Sequence, residues 1–408
     1  MNINQVVKSN LCLGCGICSF SNENIEMKYS RRKGMNIPVV NQGSDSDNSI
    51  CPAKGYNIIK NGDALYGESK YSLELGHVFS SYAVYSSSPK ILSGASSGGI
   101  MTQLAIFLLS KGVVDRVAVT KFVYTEQGPR TKTFLTTSVD EIMASQGSKY
   151  CPVDISLFLK DLDAFEGSVA YIGTPCQIAG IRELQRVYPK TGNKVKLTIA
   201  NFCGGFKNYN NIRKIAIRHN INYRDIEYFR FRGGGQPGSM LIRDKGGKIF
   251  KAPYPEFTGY TGYSKVLRCH LCVDATGELA DISCGDAWLD RYNNDPKPWS
   301  IVLCRNTEVD KLLESMVNDK VIISEPISIA DVVKSQFTNI HSKKVRQAAR
   351  FKFYSMLGYR IPHFDGGYST KRTSLLLELK VFLSHRFKEL IECVSLYGLL
   401  RVILRKPL

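Results

Sequence analysis

SVAYIGTPCQIAGIRELQRV, residues 168–187, holds a strand, a sharp turn and a helix in one short stretch. Val169, Tyr171 and Ile172 suit a pleated, half-buried strand. Gly173 and Pro175 punctuate a turn, and the run from Ile178 to Val187 then reads as helix. The same alternation extends outward on both sides. Residues 78–85 read as a strand, SGASSGG at 93–99 as a turn, and IMTQLAIFLLS at 100–110 as an apolar-faced helix stopped by Gly112. Residues 113–124, 194–202 and 226–232 are strand-like, and residues 209–219 are helix-like. Strands alternating with helices predict an α/β fold. A polar N-terminal segment, residues 1–65, precedes this core, and a basic leucine-rich segment, residues 366–408, follows it.

The chain has 408 residues, 43% hydrophobic and 22% charged, which excludes a disordered class and allows two or three packed units. Its net charge of +18 suits an acidic partner protein, an anionic small molecule or carrier-linked substrate, a phosphate-bearing cofactor or a membrane surface. No finger, helix-turn-helix or RNA-recognition signature is present, so nucleic acid is not expected. The opening MNINQVVKSN has no basic stretch leading into an apolar run, so cytoplasmic placement is expected. The most apolar late stretch, residues 387–404, is broken by Lys388, Glu389, Glu392 and Arg401. Leu375, Leu379, Phe382, Leu383 and Phe387 recur at helical steps among basic residues. A pair of amphipathic helices is predicted there, packed on the protein's own body or lying at the inner membrane surface. Self-association stays open.

Twelve cysteines in a chain read as cytoplasmic point to ligands or redox groups rather than disulfides. Cys12, Cys15 and Cys18 stand at strict three-residue steps in CLGCGIC, and the next cysteine, Cys51, is followed by Pro52. Three close thiolates plus a distant Cys-Pro complete a site for one 4Fe–4S cubane, with zinc as the alternative. Gly14 and Gly16 allow that loop positive φ. A second set is dispersed. Cys176 and Cys203 each follow a strand-like run, and Cys269 and Cys272 form a C-x-x-C pair. Parallel strand ends share one edge, where the four could meet; the alternative is that Cys176 and Cys203 are small packing residues. Cys151, Cys284, Cys304 and Cys393 read as packing residues.

YIGTPCQIAGIREL, GSKYCP, RCHLCVDATGELADISCGDAW and CLGCGIC together resemble the coenzyme F420 hydrogenase/dehydrogenase beta-subunit family, over about residues 1–345. The resemblance implies a mixed-sheet flavin-binding core over residues 77–160 and 165–345, with a ferredoxin-like 4Fe–4S segment before it. It implies FAD, a 4Fe–4S cluster on Cys176, Cys203, Cys269 and Cys272, and a ferredoxin-like electron donor or acceptor. Electrons would pass between clusters, flavin and an organic substrate or deazaflavin carrier; bacterial relatives sit beside polysaccharide-biosynthesis genes. The chain departs from the family's two-run ferredoxin modules. It has one CxxCxxC run and the remote Cys51, so one cluster is expected there and two in all. No residue that would read a deazaflavin is identifiable.

FAD needs a pyrophosphate cradle. SSGG, Ser96, Ser97, Gly98 and Gly99, precedes the helix expected from Ile100, whose N-terminus offers free N–H donors; a plain turn is the alternative. GSKY, Gly147, Ser148, Lys149 and Tyr150, suits an anion or the flavin edge, or is a solvated turn. Thr174 and Gln177 could hydrogen-bond the flavin. RFRGGGQPGS, residues 230–239, reads as a hairpin whose arginines could meet an anion. His270 belongs behind its neighbouring ligands. Asp286 either donates a proton or caps a turn, and no catalytic residue is assigned. The expected activity is that of an iron–sulfur flavoprotein oxidoreductase. An electron-transfer subunit without its own substrate and a zinc-binding interaction protein are the alternatives.

Overall fold

The computed structural model describes residues 1–41, 49–258, 265–365 and 373–393, the last six of these without side chains. The N-terminal part carries a helix, Ile3–Lys8, capped by Asn2, and the hairpin β1 (Ile25–Ser30) and β2 (Met35–Val40). A helix, Ile58–Tyr66, leads to the small hairpin β3 (Lys70–Ser72) and β4 (Gly76–Val78). The main-sheet strands before the second hairpin unit are β5 (Ser80–Ser86), β6 (Arg116–Thr125), β7 (Gly128–Thr136), β8 (Val169–Gly173) and β9 (Val195–Asn201). A three-stranded unit follows, β10 (Ile226–Arg230), β11 (Ser239–Asp244) and β12 (Ile249–Pro253). The main sheet is completed by β13 (Ile282–Asp286), β14 (Ser300–Cys304) and β15 (Ile322–Pro326).

Eight strands form this sheet in the order β15-β5-β14-β13-β9-β8-β6-β7. The centre, β13-β9-β8-β6, is parallel, and the flanking pairs are antiparallel. The α/β expectation from residues 168–187 therefore holds, with the strand at Val169–Gly173 and the helix at Pro175–Val187. Strand β5 sits between β15 and β14. Residues 77–160 and 165–345 thus share one sheet.

Local chemistry explains the elements. All five residues of β14 are buried, as a strand covered on both faces requires. The helix Ile100–Ser110 buries Leu104, Ala105, Phe107 and Leu108 against the sheet. Each such large side chain is worth about 1.5–3 kcal/mol of burial. Residues 230–239 do turn as a hairpin, joining β10 to β11. The parallel centre has a functional consequence, because the carboxyl ends of β8, β9 and β13 open onto one edge. Cys176, Cys203 and Asp286 all stand there.

The helix Leu375–Cys393 begins close to where an amphipathic helix was expected. Its Glu378 is buried and pairs with Arg346 at 2.8 Å and Arg350 at 3.1 Å. Phe382 packs edge-on against Phe353 and Tyr354. Leu376, Leu383 and Phe387 face outward at 72%, 55% and 64% exposure. The expected second helix, beyond residue 393, lies outside the described residues, as does the side chain of Cys393 and most of the loop expected over residues 41–49. No helix among the described residues is long and apolar enough to cross a membrane.

Candidate metal centres

Cys12, Cys15, Cys18 and Cys51 are all buried and line one pocket together with Ile3, Val6, Leu13, Met27 and Ala53. The loop takes this shape because Gly14 and Gly16 adopt φ of +66° and +76°. At Gly16 a Cβ would stand 2.2 Å from Oδ1 of Asp154, so only glycine fits. The Gly14 N–H points at Cys12 Sγ, 3.4 Å away. Burial pushes the Cys12 thiol up to about 12, and the thiolate of Cys51 adds to that. Burial likewise raises Cys15, Cys18 and Cys51. Four thiols gathered this way need a cation to become thiolates.

The dispersed set also meets. Cys176 opens the helix Pro175–Val187, Cys203 follows β9, Cys269 lies in the short helix Leu267–His270, and Cys272 follows it. Burial raises the Cys176 thiol to about 12 and the Cys269 thiol to about 11, and in both the next cause is neighbouring Cys203. Cys272 behaves oppositely. Burial would raise it, but the Lys343 ammonium and the Arg268 guanidinium outweigh that and hold it below the ordinary thiol value. Lys343 Nζ is 3.5 Å from Cys272 Sγ and donates to the Asp274 carbonyl at 2.6 Å. The Gly205 N–H donates to Cys203 Sγ at 3.3 Å, and Thr174 Oγ1 lies 3.3 Å from Cys176 Sγ. Among the described residues no group of three or more His, Cys, Asp or Glu side chains converges to hold a single metal ion.

The two sets adjoin. The helix Pro175–Val187 that carries Cys176 brings Gly180 against the first loop, where an added Cβ would meet Ile17 Cδ1 at 2.2 Å and Pro52 Cδ at 3.5 Å. Arg268, fully buried, donates from Nε to the Ala53 carbonyl and from Nη2 to the Pro52 carbonyl, both at 3.0 Å. Burial, with smaller contributions from Cys15 and Cys176, raises the hydroxyl of Tyr171 on β8. Arg268 was legible in the sequence only as the neighbour of Cys269. Lys343 and Tyr171 carried no signal.

Of the residues expected around a flavin, Ser96 and Ser148 meet at Arg232, and most of the set's polar atoms bond within the chain. Ser96 Oγ donates to the Arg232 carbonyl, and Ser97 Oγ to the Trp299 carbonyl at 2.8 Å. The Gly98 N–H donates to Ser300 Oγ at 2.9 Å, and a Cβ there would meet the Val84 carbonyl at 2.4 Å. Gly99, at φ +73°, starts the helix Ile100–Ser110 without a side-chain cap. Gly147 packs its α-carbon toward the Arg232 carbonyl, and Ser148 bridges to Arg232. The Lys149 ammonium donates to the carbonyls of Ser145, Gln146 and Gly147, and burial holds it down at about 8. Burial raises the Tyr150 hydroxyl. Thr174 and Gln177 cap the Cys176 helix in a reciprocal box.

The residue that joins these pieces is Arg232, 4% exposed. It pairs with Asp286, donates to the carbonyls of Ser96 and Pro237 at 2.7 Å, and lies over the rings of Trp288 and Tyr254. Asp286 is therefore the counter-ion of a buried arginine. Beside it Gly233, Gly234 and Gly235 all have positive φ, an added Cβ at Gly235 meets nothing, and Arg230 Nε is buried without a partner. His270 is half-buried and packs edge-on against His385. Cys151, Cys284 and Cys304 are packing residues, buried in the core.

Comparison with known proteins accords with this architecture. The chain is 22% identical over 347 residues to the coenzyme F420-dependent sulfite reductase of Methanocaldococcus jannaschii, covering 81% of this chain and 49% of that protein. It thus spans about half of that relative's length. It is 27% identical over 246 residues to a coenzyme F420 hydrogenase subunit beta of Methanococcus voltae, covering 58% of this chain and 81% of that one. A chain of the F420-reducing [NiFe] hydrogenase complex from Methanosarcina barkeri shares the fold, with a TM-score of 0.55 at 20% identity over 72% of this chain and 98% of that chain. Residues 81–160 match the N-terminal model, and residues 167–329 the C-terminal model, of the coenzyme F420 hydrogenase/dehydrogenase beta subunit, and the chain belongs to that family.

Proposed function

We propose that the chain is an iron–sulfur oxidoreductase subunit. It would relay electrons between a ferredoxin-like protein and an organic hydride acceptor through two 4Fe–4S centres and a flavin dinucleotide. The observation that carries this reading is the pair of four-cysteine sets, the first buried and the second partly buried, sharing a wall at Gly180 and Arg268. Relatives named as F420-dependent hydrogenase and sulfite reductase proteins support the oxidoreductase class and make a deazaflavin a candidate acceptor. The CxxCxxC triple with a remote Cys51-Pro52 favours iron–sulfur over zinc. A cubane takes its thiolates at four separate irons.

A bound flavin would couple one-electron centres to two-electron hydride chemistry. The chain's own part is to hold it and offset charge. The buried, unpartnered Arg230 Nε beside Gly235, where an added Cβ meets nothing, favours that place for an anion over Lys149 and Gly98, which are spent internally; the Gly234 and Gly235 N–H groups there bond the Gly94 and Ala95 carbonyls. Arg268, Lys343, Lys265 and Lys207 surround the second thiol set and lower the cost of its buried negative charge. The surplus of positive charge favours an anionic acceptor, including one linked to a carrier of the kind used in polysaccharide assembly.

Anaerobic purification tests this reading. Iron, sulfide, zinc and flavin analysis should give roughly eight iron per chain, equal sulfide and FAD. Stoichiometric zinc without sulfide would overturn it.

A second reading concerns the helix Leu375–Cys393. Its outward Leu376, Leu383 and Phe387 favour peripheral contact with an anionic bilayer while Glu378 anchors the helix to the body.

A further inference from the structure

Cys51 stands between two spaces. On one side it closes the pocket it shares with Cys12, Cys15 and Cys18. On the other it lines an open cleft of about 490 Å³. Among the described residues Cys51 alone lines both. A centre held by the first set would therefore meet this cleft through a single ligand side chain. A second cleft, of about 450 Å³, also reaches the first loop, but only at Gly14 and through no cysteine.

The cleft at Cys51 is basic. Lys54, Lys60 and Arg186 stand on its walls against one carboxylate, Glu183. That carboxylate is already engaged, accepting from Arg186 Nε at 2.9 Å and from Asn61 Nδ2 at 3.1 Å. Lys60 is exposed, and the Arg186 side chain is 63% exposed. The cleft beside Gly14 has the opposite balance, with Arg130 against Glu126 and Asp154. The basic cleft is also held in shape. The His363 N–H donates to the Lys54 carbonyl at 2.8 Å, and Asp365 accepts the N–H groups of Ile59 and Lys60 at 3.0 and 2.7 Å. At Gly55, with φ of +97°, an added Cβ would stand 1.7 Å from the His363 carbonyl oxygen, so glycine is required for this close approach. A preformed basic recess loses little freedom when a partner fills it.

Resting on the two-centre reading above, we propose that the cleft at Cys51 is the port where an acidic electron-carrier protein docks and exchanges one electron with the first centre. The reduced carrier loses one electron and the centre gains it; no bond forms or breaks, and no proton is needed. Carboxylates of the carrier meet Lys54, Lys60 and Arg186, which steer the encounter and orient the carrier toward Cys51. Charges of this kind at a rim act mainly on the association rate and its salt dependence.

The test is a Lys60→Glu, Arg186→Glu variant of the full, cluster-loaded chain. A Lys245→Glu, Lys251→Glu variant is the charge-matched control, since both of these lysines are exposed and neither lines the cleft. All four side chains lie at the surface, so both variants should fold and keep their iron. The reduced chain is mixed with ferricyanide, an anionic one-electron oxidant, or with hexaamminecobalt(III), a cationic one. At an ionic strength of about 0.01 M, the cleft variant should be oxidised about tenfold more slowly by ferricyanide and faster by the cobalt complex, with the control like the native chain. The difference should vanish at about 1 M salt. Binding of a small acidic 2Fe–2S ferredoxin is the independent readout, and it should weaken about tenfold in the cleft variant alone. Equal ferricyanide rates in the cleft variant and the native chain would overturn the port while leaving two centres in place. A native chain that binds no acidic carrier would overturn the partner. A native chain lacking the first centre's signal would overturn the two-centre reading and the port with it.

Discussion

Nη2 of Arg268 donates to the carbonyl of Pro52 at 3.0 Å, so the residue before Cys269 grips the residue after Cys51. Two cysteine-bearing loops more than two hundred residues apart in sequence are thereby fastened by one side chain. The geometry makes each thiol set depend on the other's loop, and it yields the first prediction.

Arg268→Met should cost about 2–4 kcal/mol of stability, because it orphans two buried carbonyls and removes a cation from beside Cys272. Arg268→Lys should recover only part, since one ammonium cannot reproduce the two-carbonyl fork. Denaturant unfolding and iron content measure both effects. An unchanged unfolding midpoint in Arg268→Met would deny the fastening role.

The contact of Gly180 with Ile17 gives a size-dependent pair. Gly180→Ala places a Cβ 2.2 Å from Ile17 Cδ1 and should destabilise by about 1–3 kcal/mol through overpacking. Ile17→Ala in the same chain should relieve part of that loss. A double-mutant cycle should therefore show positive coupling, whereas additive costs would mean the helix and the loop are not in register.

The ligand sets should separate by mutation. Cys51→Ser should lower iron to roughly half, and Cys203→Ser should do the same, each leaving the other centre's signal. Iron retained in full by either variant would remove that cysteine from the ligand set.

Lys149 supplies a pH dependence. Burial lowers its folded value to about 8, against about 10.4 in an unfolded chain. Between those values the unfolded state binds more protons, so this residue makes stability rise as pH rises from 8 toward 10. Below pH 8 its burial is a cost, offset by the carbonyls of Ser145, Gln146 and Gly147. Lys149→Met should flatten that slope in thermal unfolding curves. A slope identical to the native chain's would assign it to other groups.

The outward stripe on the helix Leu375–Cys393 can be tested without disturbing Glu378. The native chain should float with anionic liposomes, and a Leu376→Ser, Leu383→Ser, Phe387→Ser variant should not. Equal flotation, or none by either protein, would end the membrane reading.

The amino-acid sequence by itself determined the local elements and the chemical inventory. The strand-turn-helix at 168–187 is set by β-branched and aromatic residues followed by Gly173, Pro175 and an apolar helical run, all short-range effects. The CxxCxxC loop needs its two glycines for positive φ, which is also local. Only the tertiary structure decided how these parts combine. Strand β5 pairs between β14 and β15, a partnership that no local preference encodes. Arg232 and Asp286, 54 residues apart, are each legible in sequence only as possible partners of an anion or a proton, and become an ion pair with each other only when the hairpin folds over the edge of β13. Lys149 and Gly98 carry the residue types of an anion site, yet the fold turns their polar atoms inward to carbonyls and to Ser300. Donors and acceptors are read from residue type, but their partners are fixed by long-range packing, and packing chose which of them remain open.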